Sequence, residues 1–381
     1  MRPTASLSMA ALAAGGLALL WSAAAAAEPY FAQREGYKCA RCHVNRTGGG
    51  KRTAFGQQYS RTYLSLYASR VSRELSRGQV ARALKRGPGT MINPQLNDYV
   101  GVGANLRLSN TTRFAEEVHN SFESSEANFY LEVSASPLLR GLTLYGDVAL
   151  AEGSVEAREA FALLPLFSYF HVKAGYFLLP YGLRIWGDEE FVRKETGYNY
   201  ASPDLGVEIG FEKGMTSVFF AVSNGTGGQD TDNYKKISLL AELNFGMGRV
   251  GISGGYNESD KQTRLLGGVF AGLTLGRFTF LGEADMLTNI YHDKDATVHT
   301  LVAYAEGNLL LLRGLNVKVT YGFHDPALDV KEDQRMSLRG ALEIFPYPMF
   351  AASVSYTFRQ SVPQDEIGNA DVLMAELHCF L

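Results

Sequence analysis

From Tyr99 to Leu381 the chain falls into sixteen runs in which apolar and polar residues alternate, and no pattern in the sequence constrains its fold more. The runs are 99–108, 127–136, 141–150, 155–163, 168–176, 205–213, 215–223, 235–245, 248–257, 264–274, 278–287, 298–309, 315–323, 335–345, 349–358 and 372–381. A period of two is what a β-strand with two unlike faces requires. Each run has the length of a tilted strand crossing a bilayer, about 9–11 residues.

The links sharpen this. Every second one is short: Ser136 to Gly141, Lys213-Gly214, Phe245 to Gly248, Gly276-Arg277, Leu312 to Gly314 and Phe345 to Pro348. The others are mostly longer and often acidic: 109–126, 177–204, 224–234, 288–297, 324–334 and 359–371. Short turns at one end and long loops at the other are the organisation of bacterial outer-membrane barrels. The expected fold class is therefore all-β, an antiparallel outer-membrane β-barrel of about sixteen strands with both ends on the periplasmic side. The final run puts Leu373, Ala375, Leu377, Cys379 and Leu381 on one face, which makes Cys379 an apolar, lipid-facing residue. Gly 40, Tyr 20 and Phe 22 suit a barrel with aromatic girdles. Applied throughout, the alternation gives a lumen face with two acids for every base, Arg107, Glu132, Lys173, Glu212, Lys318 and Glu343 among them.

The first residues read as a leader. Arg2 is followed by an apolar stretch from Met9 to Trp21 and by Ala25-Ala26-Ala27, which predicts cleavage before Glu28. No later stretch reaches the roughly 18 uncharged apolar residues of a spanning helix. The expected organisation is a signal peptide over 1–27, a small helical c-type haem segment over 28–92, and the barrel over 93–381. The two mature parts carry opposite charge. Residues 28–92 hold 13 Lys/Arg against Glu28, Glu35 and Glu74, while residues 93–381 hold 22 Lys/Arg against 36 Asp/Glu. Segments of opposite sign on one chain attract. No nucleic-acid partner is expected.

Cys39-Ala40-Arg41-Cys42-His43 is the c-type haem attachment pattern. Two thiols three positions apart reach the two vinyl groups of one haem, and the next residue, His43, lies beneath the iron. A zinc site would need about four ligands, and no second Cys/His pair is near. A redox dithiol would not need His43. Met91, His378 and His171 are the candidates for the sixth iron position, or it stays open. Gly48-Gly49-Gly50 permits a tight turn or close approach to the haem. Residues 60–86 look helical and basic, suited to the acidic interior or to haem propionates.

The order of leader, one CxxCH, Phe55-Gly56-Gln57-Gln58-Tyr59 and a terminal barrel resembles the fused outer-membrane monohaem cytochrome–porins of iron-oxidising bacteria, or a sister family of haem-bearing barrels. The resemblance rests on Cys39, Cys42, His43, Phe55, Gly56 and Tyr59. The stretch Asn45 to Gly50 departs from that family, which usually has a Pro-containing segment there. The resemblance implies one covalent haem c held by Cys39 and Cys42 and ligated by His43. It also implies electron transfer across the outer membrane between an extracellular donor such as Fe(II) and a periplasmic electron carrier. Iron:cytochrome c oxidoreductase activity would follow, and no hydrolytic or transferase chemistry is expected. A single haem below the mouth would leave most of an apolar band about 25 Å tall uncrossed, so the haem segment should enter the lumen.

A porin for small solutes, with the haem segment as plug or redox gate, is the alternative. Gly175-Tyr176-Phe177-Leu178-Leu179-Pro180-Tyr181-Gly182 before a long loop resembles anion-selective porins ahead of their constriction loop. A haem peroxidase has little support beyond the haem motif itself. The loop residues His292, Asp293, Asp295, His324 and Asp325 are candidates to meet a metal ion, since imidazole and carboxylate suit divalent iron.

Overall fold

The computed structural model describes residues 28–66, 95–135, 141–151, 154–187, 189–228 and 232–381. The expected leader and cleavage site lie outside the described residues, as do Met91 and most of the basic helix expected over 60–86.

Sixteen antiparallel strands close into one barrel, each paired with its neighbours in sequence and the first with the last. They are β1 (Val100–Phe114), β2 (Val118–Ser134), β3 (Thr143–Ala151), β4 (Ser154–Leu166), β5 (Phe170–Phe177), β6 (Asp204–Lys213), β7 (Thr216–Ser223) and β8 (Lys236–Asn244). The circuit continues through β9 (Gly248–Glu258), β10 (Gln262–Leu275), β11 (Phe278–Tyr291), β12 (Ala296–Leu312), β13 (Leu315–Asp325), β14 (Arg335–Ile344), β15 (Phe350–Gln360) and β16 (Asp371–Phe380). Closure removes the unpaired edges that a sheet cannot carry into hydrocarbon.

All sixteen expected runs are strands. Two expected long loops are not loops. Most of 109–126 continues β1 and β2, and most of 288–297 continues β11 and β12, leaving only 115–117 and 292–295 to turn the chain. The extension of β1 and β2 is held by polar cross-strand pairs. Asn110 and Asn120 exchange amide bonds at 3.1 and 3.0 Å, and Arg113 meets Glu123 at 3.7 Å. Beyond the lipid band both faces meet water, so the alternation that marks a spanning strand fades.

The two faces divide as expected. Leu106, Phe129, Val207, Ile252, Val269, Phe280 and Val354 point outward and are exposed, as a lipid-facing band requires. Cys379 pairs with Leu106 and shares that outward face. Inward residues meet partners in the lumen, which two segments fill. One is the N-terminal segment, with α1 (Pro29–Glu35), α2 (Cys39–Cys42), α3 (Ala54–Tyr59) and a π-helical turn at Ser60–Leu64. The other is the β5–β6 link, 178–203, which turns inward and carries α4 (Phe191–Lys194). Leu178, Tyr181, Leu183, Ile185, Val192 and Tyr198 of this link are almost fully buried.

Candidate cofactor site in the barrel lumen

The N-terminal segment is fixed to the wall on several sides. Near the short-turn end, Gln33 Nε2 donates to Met247 O at 2.9 Å, Lys38 Nζ to Thr216 O at 2.7 Å, and Leu66 N–H to Phe345 O at 2.8 Å. Beside these, Tyr30 donates its hydroxyl to Glu343 at 2.6 Å, and Lys51 Nζ pairs with Glu132 at 2.6 Å. Arg46 pairs with Glu212, and Lys318 reaches Glu28 at 3.5 Å. The acidic wall and basic segment seen in the sequence are thus joined by explicit ion pairs. Glu132, Glu212, Lys318 and Glu343, read from the alternation as lumen residues, all contact this plug.

Local chemistry sets the shape of the CxxCH turn. Lys38 is extended and starts α2, and His43 leaves it extended again, with its N–H donating to Cys39 O at 3.0 Å. His43 then bridges back to Arg52. The return is made by Gly48, Gly49 and Gly50, all in the left-handed region with φ of 98°, 85° and 64°. A Cβ on Gly50 would collide with the Tyr145 hydroxyl, and one on Gly49 would sit 2.9 Å from Tyr200 Cε1. These glycines therefore seat the loop against the wall and the inward link.

The Phe55-Gly56-x-x-Tyr59 signature has an equally direct cause. A side chain on Gly56 would collide with the Cys42 carbonyl, so only glycine lets α3 lie on α2. Phe55 stacks under the Arg41 guanidinium at 4.2 Å, and Tyr37 meets Phe55 edge-on at 5.4 Å. Thr53 caps α3 by accepting the Gly56 N–H at 3.2 Å.

Cys39, Cys42 and His43 line one cleft of about 1030 Å³, counted with its open mouth. Phe31, Leu64, Leu183, Phe219 and Leu240 supply apolar walls, and Lys38, Arg46, Arg52, Arg184 and Arg249 supply cations. The His43 Nδ1 lies 3.4 Å from Gly50 O. With Nδ1 donating there, Nε2 is left as the lone-pair nitrogen, the arrangement of a metal-ligating histidine. Burial, reinforced by Arg52, pushes the His43 pKa down to about 4, so the imidazole is neutral at pH 7. Burial pushes Cys39 upward and Cys42 up to about 11. A catalytic dithiol needs the opposite, a depressed thiol pKa. Four buried polar atoms among the described residues of the lining, Arg46 Nε, Arg184 Nε, Ser217 Oγ and Arg249 Nε, have no hydrogen-bond partner. Two thiols on one turn, a neutral oriented imidazole, an apolar slot and cations at its rim fit a haem tethered through thioethers.

Of the sixth-ligand candidates, neither His171 nor His378 lines this cleft. His171 is packed on Phe219 at 5.8 Å, with Nε2 3.4 Å from Glu208, and His171 is absent from the lining. His378 is 3% exposed with neither ring nitrogen hydrogen-bonded, and it lines an adjoining cavity shared with Gly49, Gly50 and Arg52. Among the described residues, the cleft lining holds no second His and no Met. The loop candidates do not gather either. His292 bonds Thr263 at 3.0 Å, His324 lies beside Phe191 at 5.4 Å, and among the described residues no group of three or more His, Cys, Asp or Glu fits a metal ion.

Several residues that organise the site carried no sequence signal. Glu159 accepts Asn45 Nδ2 at 2.8 Å and Leu178 N–H at 2.9 Å, joining wall, plug and inward link. A register shift at Asp147/Val148 against Glu159/Ala157 breaks the alternation in its strand. Arg184, Trp186, Arg193 and Tyr200 belong to the inward link. Arg193 pairs with Glu283, and Tyr181 donates to Asp285 at 2.9 Å, fastening the link to β11.

No family model and no curated protein matches the chain. Solved structures do. OmpT, an outer membrane protein of Vibrio cholerae, aligns with a TM-score of 0.59 at 14% identity, covering 74% of this chain and 100% of that one. The anion-selective porin from Comamonas acidovorans aligns at 0.59 and 9% identity, covering 74% and 99%. The outer membrane channel DcaP of Acinetobacter baumannii aligns at 0.56 and 10% identity, covering 74% and 97%. At such identities the likeness speaks for the fold alone, and that fold is the closed sixteen-strand barrel of outer-membrane porins.

Proposed function

We propose that this chain is an outer-membrane barrel that carries one covalently bound haem c on Cys39 and Cys42, ligated by His43, and passes electrons across the membrane. The carrying observation is that the CxxCH turn lies inside the lumen with His43 Nδ1 directed at Gly50 O, which leaves Nε2 for iron. The cofactor supplies a reversible one-electron change at iron. The protein's residues do the rest. Cys39 and Cys42 would tether it, Phe31, Leu183 and Phe219 would exclude water, and Arg184 and Arg249, which line the same cleft, would be available to its carboxylates. Seating the segment in the lumen shortens the uncovered path through the apolar band, about 25 Å tall. The donor side would be extracellular, Fe(II) being one candidate, and the acceptor a periplasmic electron carrier.

The test uses protein from a host competent for cytochrome c maturation, placed in liposomes with an oxidised acceptor trapped inside. Covalent haem mass, a Soret band and acceptor reduction by external Fe(II) are expected. Intact haem without acceptor reduction would remove the conduction reading.

A second reading is a solute channel with the N-terminal segment as plug or redox gate. It draws on the likeness to porins and channels and on the inward β5–β6 link, which narrows the lumen as a constriction loop does. Against it stand the ion pairs and hydrogen bonds that pin the plug to β1–β2 hairpin, β6, β13 and β14 residues. Redox-independent conductance of the untreated protein in bilayers would favour the channel.

A further inference from the structure

The geometry points to Trp186 and Tyr200 as the electron bridge between the long-loop vestibule and His43, a role that rests on the haem reading above and specifies its route. Above the plug the lumen opens into a vestibule of about 2010 Å³, counted with its mouth, whose wall includes Thr111, Arg113, Arg339 and Arg359. Trp186 lines this vestibule and also the smaller cavity beneath it, which Tyr200, Gly49 and Gly50 border. The two rings lie 5.5 Å apart between centroids. Tyr200 then abuts Gly49 so closely that a Cβ there would be 2.9 Å from Cε1. Gly49 is bonded to Gly50, whose carbonyl faces His43 Nδ1 at 3.4 Å. One ring contact, one van der Waals contact, one peptide and one hydrogen bond thus connect the vestibule to the imidazole. Aromatic rings offer the polarisable orbitals that such a path needs, where aliphatic packing would not.

The surroundings suit this use. The Arg107 guanidinium lies 3.6 Å over the Trp186 ring, but it is paired with both Glu126 and Glu376 at 3.0 Å. Two carboxylates offset one cation, so the indole is not held under unbalanced positive charge when an electron leaves it. The electron balance is simple. A small donor in the vestibule would lose one electron to the bound haem iron, and both rings would end unchanged with their protons in place.

Of the chain's two tryptophans, Trp21 falls in the leader, so leader-free protein has Trp186 as its only indole. The experiment takes holoprotein with reduced haem, adds an impermeant ruthenium(III) photo-oxidant generated by a laser flash on the vestibule side, and records transient absorption. The expected record is a tryptophanyl radical band whose decay matches the oxidation seen in the Soret region. In W186F the radical band disappears and haem oxidation slows several-fold. In Y200L the radical forms but persists several-fold longer. Heat-modifiable gel mobility and an unchanged static Soret spectrum establish that each variant is folded and loaded. Unchanged oxidation rates in both folded, loaded variants would overturn the bridge and leave the haem reading intact. Absence of any Soret band in the parent protein would overturn both.

Discussion

Asn45 of the plug donates its side-chain amide to Glu159 of β4 at 2.8 Å, and the same carboxylate oxygen accepts the Leu178 N–H at the start of the inward link. One residue, 1% exposed, thereby positions both occupants of the lumen. Removing it with Glu159→Ala strands two buried donors, at about 1–3 kcal/mol each. Glu159→Gln keeps an acceptor and should cost less. We expect single-channel recordings to show a clear rise in conductance for E159A and little change for E159Q. Equal, low conductance in both would mean that the plug is held without this junction.

Gly50 makes a second, more local demand. Its φ of 64° is left-handed, and its missing side chain leaves room for the Tyr145 hydroxyl, which accepts the Lys51 N–H at 3.0 Å. Gly50→Ala combines a left-handed penalty of about 1–2 kcal/mol with a steric clash. The expected result is earlier release of the plug on heating, followed by protease access to residues 28–66. G50A combined with Tyr145→Phe should recover part of the loss, because the clashing oxygen is gone. Full stability of G50A alone would contradict the seating described for this loop.

These two sites also mark what a sequence can disclose. The sixteen strands were legible because a bilayer forces unlike faces on every spanning residue, so the pattern repeats at each strand. The Cys39-to-His43 turn is conspicuous because two thiols and an imidazole fall within five consecutive positions. The extended β1–β2 hairpin was not, since water on both faces erases the alternation. Glu159 was hidden by the register shift in its own strand. Trp186 and Tyr200 were hidden for another reason: they act from an irregular link whose inward course depends on distant partners such as Glu283 and Asp285. The charge asymmetry foresaw attraction between plug and barrel, yet the individual pairs, Lys51 with Glu132 and Arg46 with Glu212, exist only once the barrel closes.

The plug should also respond to pH. Burial raises the Glu28 pKa from 4.5 to about 7, with Lys318 opposing and Glu343 and Glu306 adding to the rise. The docked state therefore binds more protons than the released state between those values. Stability of docking is greatest below the lower pKa and falls as pH rises toward 7, by a few kcal/mol at most. Plug protection from protease, measured from pH 5 to pH 8, should decline across this window. Glu28→Gln should flatten the profile. A rise in protection with pH would show that another group governs docking.

The last prediction separates the cofactor from the plug. The contacts described above that hold residues 28–66 in the lumen come from Glu28, Tyr30, Gln33, Lys38, Asn45, Arg46, Lys51 and Leu66, and none involves a thiol. A C39S/C42S chain should therefore lose all covalent haem mass and its Soret band while keeping a heat-modifiable barrel and low conductance. If the plug instead served as a gate held by the haem, the same variant would conduct freely. Conductance and Soret absorbance measured on one preparation decide between these outcomes. Low conductance without haem would place plug docking in the ion pairs and hydrogen bonds of the wall. High conductance would assign the haem a structural role that the acidic wall and basic plug were not sufficient to supply.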